Sequence, residues 1–297
     1  MDKPGGLRPS TPGGHVVISL AWIAAFVLAI ASVWSPPLLP FSVAIAVGAF
    51  AAYLARHVRF VRTLGAVERA LTRGDLATAR AIAAPLLDRF PGQPLVEKAA
   101  ADVLYATGDP LSAASLYERA AKRLSRDRDV VVGLVASYAA LNKAGDARRS
   151  AGLLPADYDV RLALAWAELV ALAGDRAKGA RLADELLAEL KVEHGAERTA
   201  MANVLVAIAA AQRKDATLAR SALDVAERQR DVLEGPDRAF IGYLGGVALR
   251  ELGLAGDARA TFTQAMAAGP GTIGEALARR ERSHIPGSSD SSEGSSA

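Results

Sequence analysis

The 297-residue sequence contains no cysteine. That excludes a disulfide framework, thiolate-bound zinc, an iron–sulfur cluster and a thiol nucleophile. Histidine occurs only four times, at positions 15, 57, 194 and 284, far apart in sequence. Aromatic residues make up 5%, too few for a β-sandwich or barrel, and the abundant Ala and Leu favour helix. No G-x-S-x-G, H-E-x-x-H or Walker-type motif is present. The run Gly269-Pro270-Gly271-Thr272-Ile273-Gly274 fits G-x-G-x-x-G, but it follows no strand and reads as a helix stop and a helix start. No catalytic residue, metal ligand or cofactor is therefore expected, and the chain does not read as an enzyme.

Charge is also missing over a long stretch. Residues 9–55 contain no Lys, Arg, Asp or Glu. One membrane span needs about 20 apolar residues, so this stretch is too long for one. Ser35-Pro36-Pro37 and Pro40 divide it, and proline stops a helix. The expectation is a helical hairpin with spans over 15–34 and 38–55. Lys3 and Arg8 precede it, and Arg56, Arg59 and Arg62 follow it. The positive-inside rule then puts both chain ends in the cytoplasm. Small residues Ala44, Gly48 and Ala52 form a stripe on the second span. It suits packing within the hairpin or, alternatively, a homo-oligomer. Ala29-Ile30-Ala31 is also compatible with signal cleavage, which leaves the following domain on the same side.

The remaining charge is balanced. Residues 74–283 hold 28 basic and 28 acidic side chains, and the excess lies in 56–73, five Arg against Glu68. A nucleic-acid reader would carry its excess on the folded domain, so no nucleic-acid partner is expected. The ratio of 28 Arg to 7 Lys, with abundant Ala, suggests a GC-rich bacterial genome, hence a bacterial cytoplasmic (inner) membrane.

A repeat runs through residues 60–272. Gly74-Asp75 and Gly108-Asp109 stand 34 residues apart. Ala79 and Ala113 follow the two glycines at +5, Tyr117 and Ala120 follow Gly108 at +9 and +12, and Pro91 follows Gly74 at +17. The register continues through Asn142, Gly174 and Lys214 to Gly253, which is followed by Ala258, Phe262, Ala265 and Pro270. Gly179 replaces Ala at +5 after Gly174. Six units are expected, over 60–93, 94–127, 128–159, 160–193, 200–233 and 239–272. The spacing stretches to 40 and 39 residues before the last two, which calls for longer helices or loops. A further helix from Ile273 to Ser283 starts at a Thr272–Glu275 capping box. The tails, 1–14 and 284–297, are expected to be disordered.

This pattern resembles the tetratricopeptide repeat, a 34-residue helix–turn–helix unit. The resemblance implies an all-α solenoid spanning 56–283 behind the membrane hairpin. It also implies a scaffold or adaptor that binds protein partners through the first helix of each unit. In this register that surface comprises Lys98, Asp102, Tyr105, Asp129, Arg161, Glu168, Tyr243 and Arg250. The layout of two spans and repeats resembles that of HemY-type membrane proteins linked to haem biosynthesis. It implies an alternative, a haem- or ligand-handling accessory with His15 and His57 at the membrane face. Lipopolysaccharide-assembly adaptors share the outline, but they carry metal-binding cysteines absent here.

Overall fold

The computed structural model describes residues 39–190 and 195–285, together with Ile23, Phe26, Val27 and Ile30 before them. The expected first span, apart from those four helical positions, and both expected tails, apart from His284 and Ile285, lie outside the described residues. Among the described residues from 39 onward there are thirteen helices and no strand. They are α1 (Leu39–Thr72), α2 (Leu76–Arg89), α3 (Pro94–Ala106), α4 (Pro110–Ala121), α5 (Arg128–Ala140), α6 (Ala144–Ala151) and α7 (Tyr158–Val170). Then follow α8 (Arg176–Glu189), α9 (Gly195–Gln212), α10 (Ala216–Arg230), α11 (Gly235–Glu251), α12 (Ala255–Ala268) and α13 (Ile273–Ser283).

The helices pair in sequence order as six antiparallel hairpins, with α13 packed on both helices of the last. The turns explain the register. A tight helix–helix turn needs one residue in the left-handed region, where glycine is least strained. Gly74, Gly108 and Gly253 occupy it at φ of 70°, 82° and 79°. Asn142 and Lys214 occupy the matching turns at 59° and 63°. Asp75, Asp109, Asp175 and Asp215 cap the second helices, each accepting the backbone N–H three residues on. The longer spacing late in the chain goes into helix: α9 has 18 residues and α11 has 17, against 13 for α3, α5 and α7.

Close packing sets the small positions. Ala79, Ala113, Ala147, Ala219 and Ala258 are all 0% exposed. At the equivalent Gly179 a Cβ would lie 2.8 Å from Cγ of Leu169, so even alanine does not fit there. The Tyr117 ring fills the space over Gly133, and the Phe262 ring fills that over Gly246.

Helix α1 departs from the expected division between anchor and repeats. The second span and the first helix of unit one are one 34-residue helix, about 51 Å long. The stretch Val43–Thr72 is the one helical segment among the described residues long and apolar enough to cross a membrane. Only 6% of its most apolar window is buried, and Phe41, Val43, Val47, Phe50, Tyr53 and Leu54 are exposed. Ala44, Gly48 and Ala52 are exposed too, and a Cβ on Gly48 would meet nothing within 4 Å. The first span, on which this stripe was expected to pack, lies mostly outside the described residues.

The solenoid also curls further than a stack with two free ends. A Cβ on Gly108, in the turn of unit two, would lie 3.1 Å from Cβ of Ala276 on α13. One on Gly74 would lie 3.5 Å from Pro236 at the start of α11. The Arg280 guanidinium donates to the Ala140 carbonyl, 2.9 Å away and 140 residues earlier. The two ends of the superhelix thus meet across its axis.

Candidate partner-binding cavity

The first helices face that axis and enclose a cavity of about 610 Å³. Its floor is apolar, made by Val132, Leu162, Trp166, Met201, Phe240 and Ile273 with the Tyr105 ring. Its charged lining comes from Arg128, Asp159, Glu197, Arg198 and Asp237. The lining positions on α7 are Asp159, Leu162, Ala163 and Trp166, spaced as one helix face. On α11 they are Pro236, Asp237, Phe240 and Ile241.

The charges on the rim are unequal in their partners. Arg198 forks onto Asp159 with two bonds of 2.7 Å, and Arg128 bonds to both Asp159 and Asp157. Glu197 and Asp237 have no described cation within ion-pair distance. Both residues are exposed at the rim, yet partial desolvation by the surrounding cavity wall raises both carboxyls above their ordinary range, and their mutual repulsion adds to the effect at Glu197. The Trp166 indole N–H in the floor and the Tyr243 hydroxyl, buried outside the lining, make no well-formed hydrogen bond. Burial pushes the Tyr243 hydroxyl up to about 12, so it is a neutral donor at pH 7.

The structure divides the eight expected groove residues. Tyr105 lines the cavity. Lys98, Asp102 and Asp129 form a cluster beside it, with the Lys98 ammonium 3.1 Å from Asp102 and 3.4 Å from Asp129. The Tyr117 hydroxyl donates to Asp102 at 2.5 Å. Burial raises the Asp102 carboxyl despite the neighbouring Lys98.

The other four are corrected. Glu168 is 0% exposed and takes a two-pronged bond of 2.6 Å from Arg148. Tyr243 is 0% exposed and packs against Phe240 and Phe262. Arg161 reaches outward to Glu185 and Glu189 on α8. Arg250 ties α11 to Glu281 on α13. Arg161 and Glu168 each stand two residues, or about 200° around the helix, from the cavity-lining positions Asp159 and Trp166. Arg128, Asp159, Glu197, Arg198, Asp237 and Phe240 went unread, although their spacing on successive first helices carries the signal.

Among the described residues no group of three or more His, Asp and Glu is placed to hold a metal ion. His57 stacks on Tyr53 with ring centroids 6.2 Å apart, while His15 lies outside the described residues.

The backbone arrangement matches a known architecture. A tetratricopeptide repeat protein from Parabacteroides merdae superposes with a TM-score of 0.50 over 87% of this chain and 98% of its own, at 13% identity. The fold is that of a tetratricopeptide repeat solenoid. The repeat domain of P58(IPK) also aligns, at 14% identity over 91% of this chain and 79% of its own, with a TM-score of 0.32. No protein-family model matches the sequence, and no curated protein does.

Proposed function

We propose that this chain is a non-enzymatic scaffold, anchored by α1 in a bacterial cytoplasmic membrane, that holds a protein partner in the central cavity on the cytoplasmic side. One observation carries the partner reading: an apolar floor under a rim bearing two carboxylates without described cations. That chemistry fits a peptide segment that inserts an aliphatic or aromatic side chain and presents Lys or Arg to Glu197 and Asp237. The Lys98–Asp102–Asp129 cluster beside Tyr105 extends the polar rim. The exposed apolar face of α1, followed by arginines from position 56, supports the anchor and its orientation.

The test is site-specific photo-crosslinking of the full-length chain in native membranes, with a photoreactive residue replacing Met201. A single protein should cross-link there. The yield should fall about tenfold, the equivalent of ~1.4 kcal/mol, in Glu197→Gln with Asp237→Asn. Cross-links that form only from exposed outer positions, such as Arg220, would place the partner surface elsewhere.

A further inference from the structure

The second concave feature of interest lies where α1 leaves its uncharged stretch. Arg56, Arg59, Phe60, Arg89 and Phe90 line it, around a volume of about 440 Å³. Two elements build it. Helix α1 passes its last uncharged turn at Ala55 and places Arg56 and Arg59 one turn apart. Helix α2 runs back antiparallel, so its last turn returns Arg89 and Phe90 to the same level.

The Phe90 ring organises the site. It meets Phe60 edge to face, with centroids 5.3 Å apart. The Arg56 guanidinium carbon lies 5.9 Å from the Phe90 centroid and that of Arg89 lies 5.6 Å from it. Two cations therefore share one ring, and a third, Arg59, lines the same concavity. None of the three has a described carboxylate within ion-pair distance. Elsewhere in the fold the arginines that define contacts are paired: Arg128, Arg148, Arg161, Arg198 and Arg250 each hold an acid. Three like charges around one pocket repel, and an anion seated among them relieves the part of that repulsion that water and salt leave unscreened. Guanidinium forks match the tetrahedral oxygens of a phosphate. The apolar part of the lining, Ala52, Ala55, Leu86 and Phe90, suits the carbon groups attached to such a phosphate.

We propose that Arg56, Arg59 and Arg89 form a phosphate-binding site, and that its occupant is the headgroup of an anionic phospholipid. The lipid assignment rests on the membrane reading of α1, which puts the pocket at the headgroup level, immediately past the uncharged stretch. The bound headgroup bridges α1 to α2, fixing the first repeat hairpin against the membrane surface.

The test uses the full-length chain in a neutral maltoside detergent, with native mass spectrometry to count bound ligand. The probes are short-chain phosphatidylglycerol, short-chain phosphatidylcholine and inorganic phosphate. Phosphatidylglycerol should bind at one site, and affinity should fall about tenfold in Arg56→Gln with Arg89→Gln. Arg220→Gln, on an exposed face of α10, should leave it unchanged. Arg56→Lys with Arg89→Lys should recover part of the binding, which a misfolded protein would not do. Equal binding of the two lipids, or full retention in the double Gln variant, overturns the site. Inorganic phosphate that displaces phosphatidylglycerol at equal concentration keeps the phosphate chemistry but overturns the lipid as its source. The membrane reading fails separately, if alkaline carbonate releases the native protein from membranes, whatever the adduct counts show.

Discussion

At the turn between α7 and α8, the Asp175 backbone N–H is directed at a side chain. In the hairpin of unit two the corresponding N–H, that of Asp109, bonds to the Leu104 carbonyl at 2.8 Å, and unit five repeats this with Asp215 and Ala210. In unit four, Asp175 instead donates to the Glu168 carboxylate at 2.8 Å. A Cβ on Gly174 would lie 2.2 Å from the Glu168 carbonyl oxygen, so the chain folds back too tightly for the common turn. Glu168 thus closes a helix end as well as an ion pair with Arg148 and Lys178. Glu168→Ala should lower the unfolding free energy by about 2–3 kcal/mol, since it removes hydrogen bonds to a charged group and leaves a turn N–H unpaired. The pH dependence has a definite sign. Burial alone would raise this carboxyl, but Arg148, the Asp175 N–H and Lys178 outweigh it and hold it below its ordinary 4.5. Its stabilising contribution is complete above the unfolded pKa and is lost as pH falls through the lower folded value. Urea unfolding between pH 3 and pH 7 should therefore show a flatter acid limb in Glu168→Gln than in the native chain. None of this role is legible in the sequence. A glutamate on a first helix looks like a groove residue until the turn after it is seen to lack a backbone acceptor.

Among the elements, the hairpins were legible because each turn and each contact has a local chemical cause. Left-handed turn residues, aspartate caps and alanines at fixed offsets recur without reference to distant parts of the chain. Two glycines show how position changes the meaning of one residue type. A Cβ on Gly133 would lie 2.3 Å from the Tyr117 ring, whereas one on Gly65 in α1 would meet nothing. Gly133→Ala should destabilise by about 1–3 kcal/mol through overpacking between units two and three. Gly65→Ala should stabilise by about 0.5–1 kcal/mol, because it removes backbone freedom from the unfolded chain without a clash. Thermal unfolding of both variants beside the native chain checks the pair, and equal shifts of one sign would contradict the packing. The continuity of α1 was less legible. Nothing between Ala55 and Phe60 stops a helix, yet the change from uncharged to basic residues invites a boundary there. Composition changed while helix propensity did not, so one rod joins the apolar segment to the repeats.

Closure of the superhelix belongs to the whole molecule. The curvature of a solenoid is the sum of small rotations between neighbouring units, and no single unit's sequence carries that sum. The eight groove positions were therefore read on an open surface, whereas the chain curls until α13 reaches units two and three. This turns the concave face into a cavity with an apolar floor. Helix α13 does more than end the stack: it helps to close that cavity, since Ile273 lines it and Arg280 reaches Ala140. The Arg280 side chain is 34% exposed, so its bond to the Ala140 carbonyl is partly solvent-screened and contributes about 1 kcal/mol. Arg280→Ala should cost roughly that much in overall stability. Its larger signature should be local: faster hydrogen exchange in the turn after α5, around Leu141 to Lys143, with no change in the α1–α2 turn. Arg282→Ala, on the exposed side of the same helix, should alter neither. Faster exchange throughout α13 without any change after α5 would mean that the two ends lie close together but do not support each other. The partner would then meet an open groove, and the preference for an inserted apolar side chain would lose its physical basis.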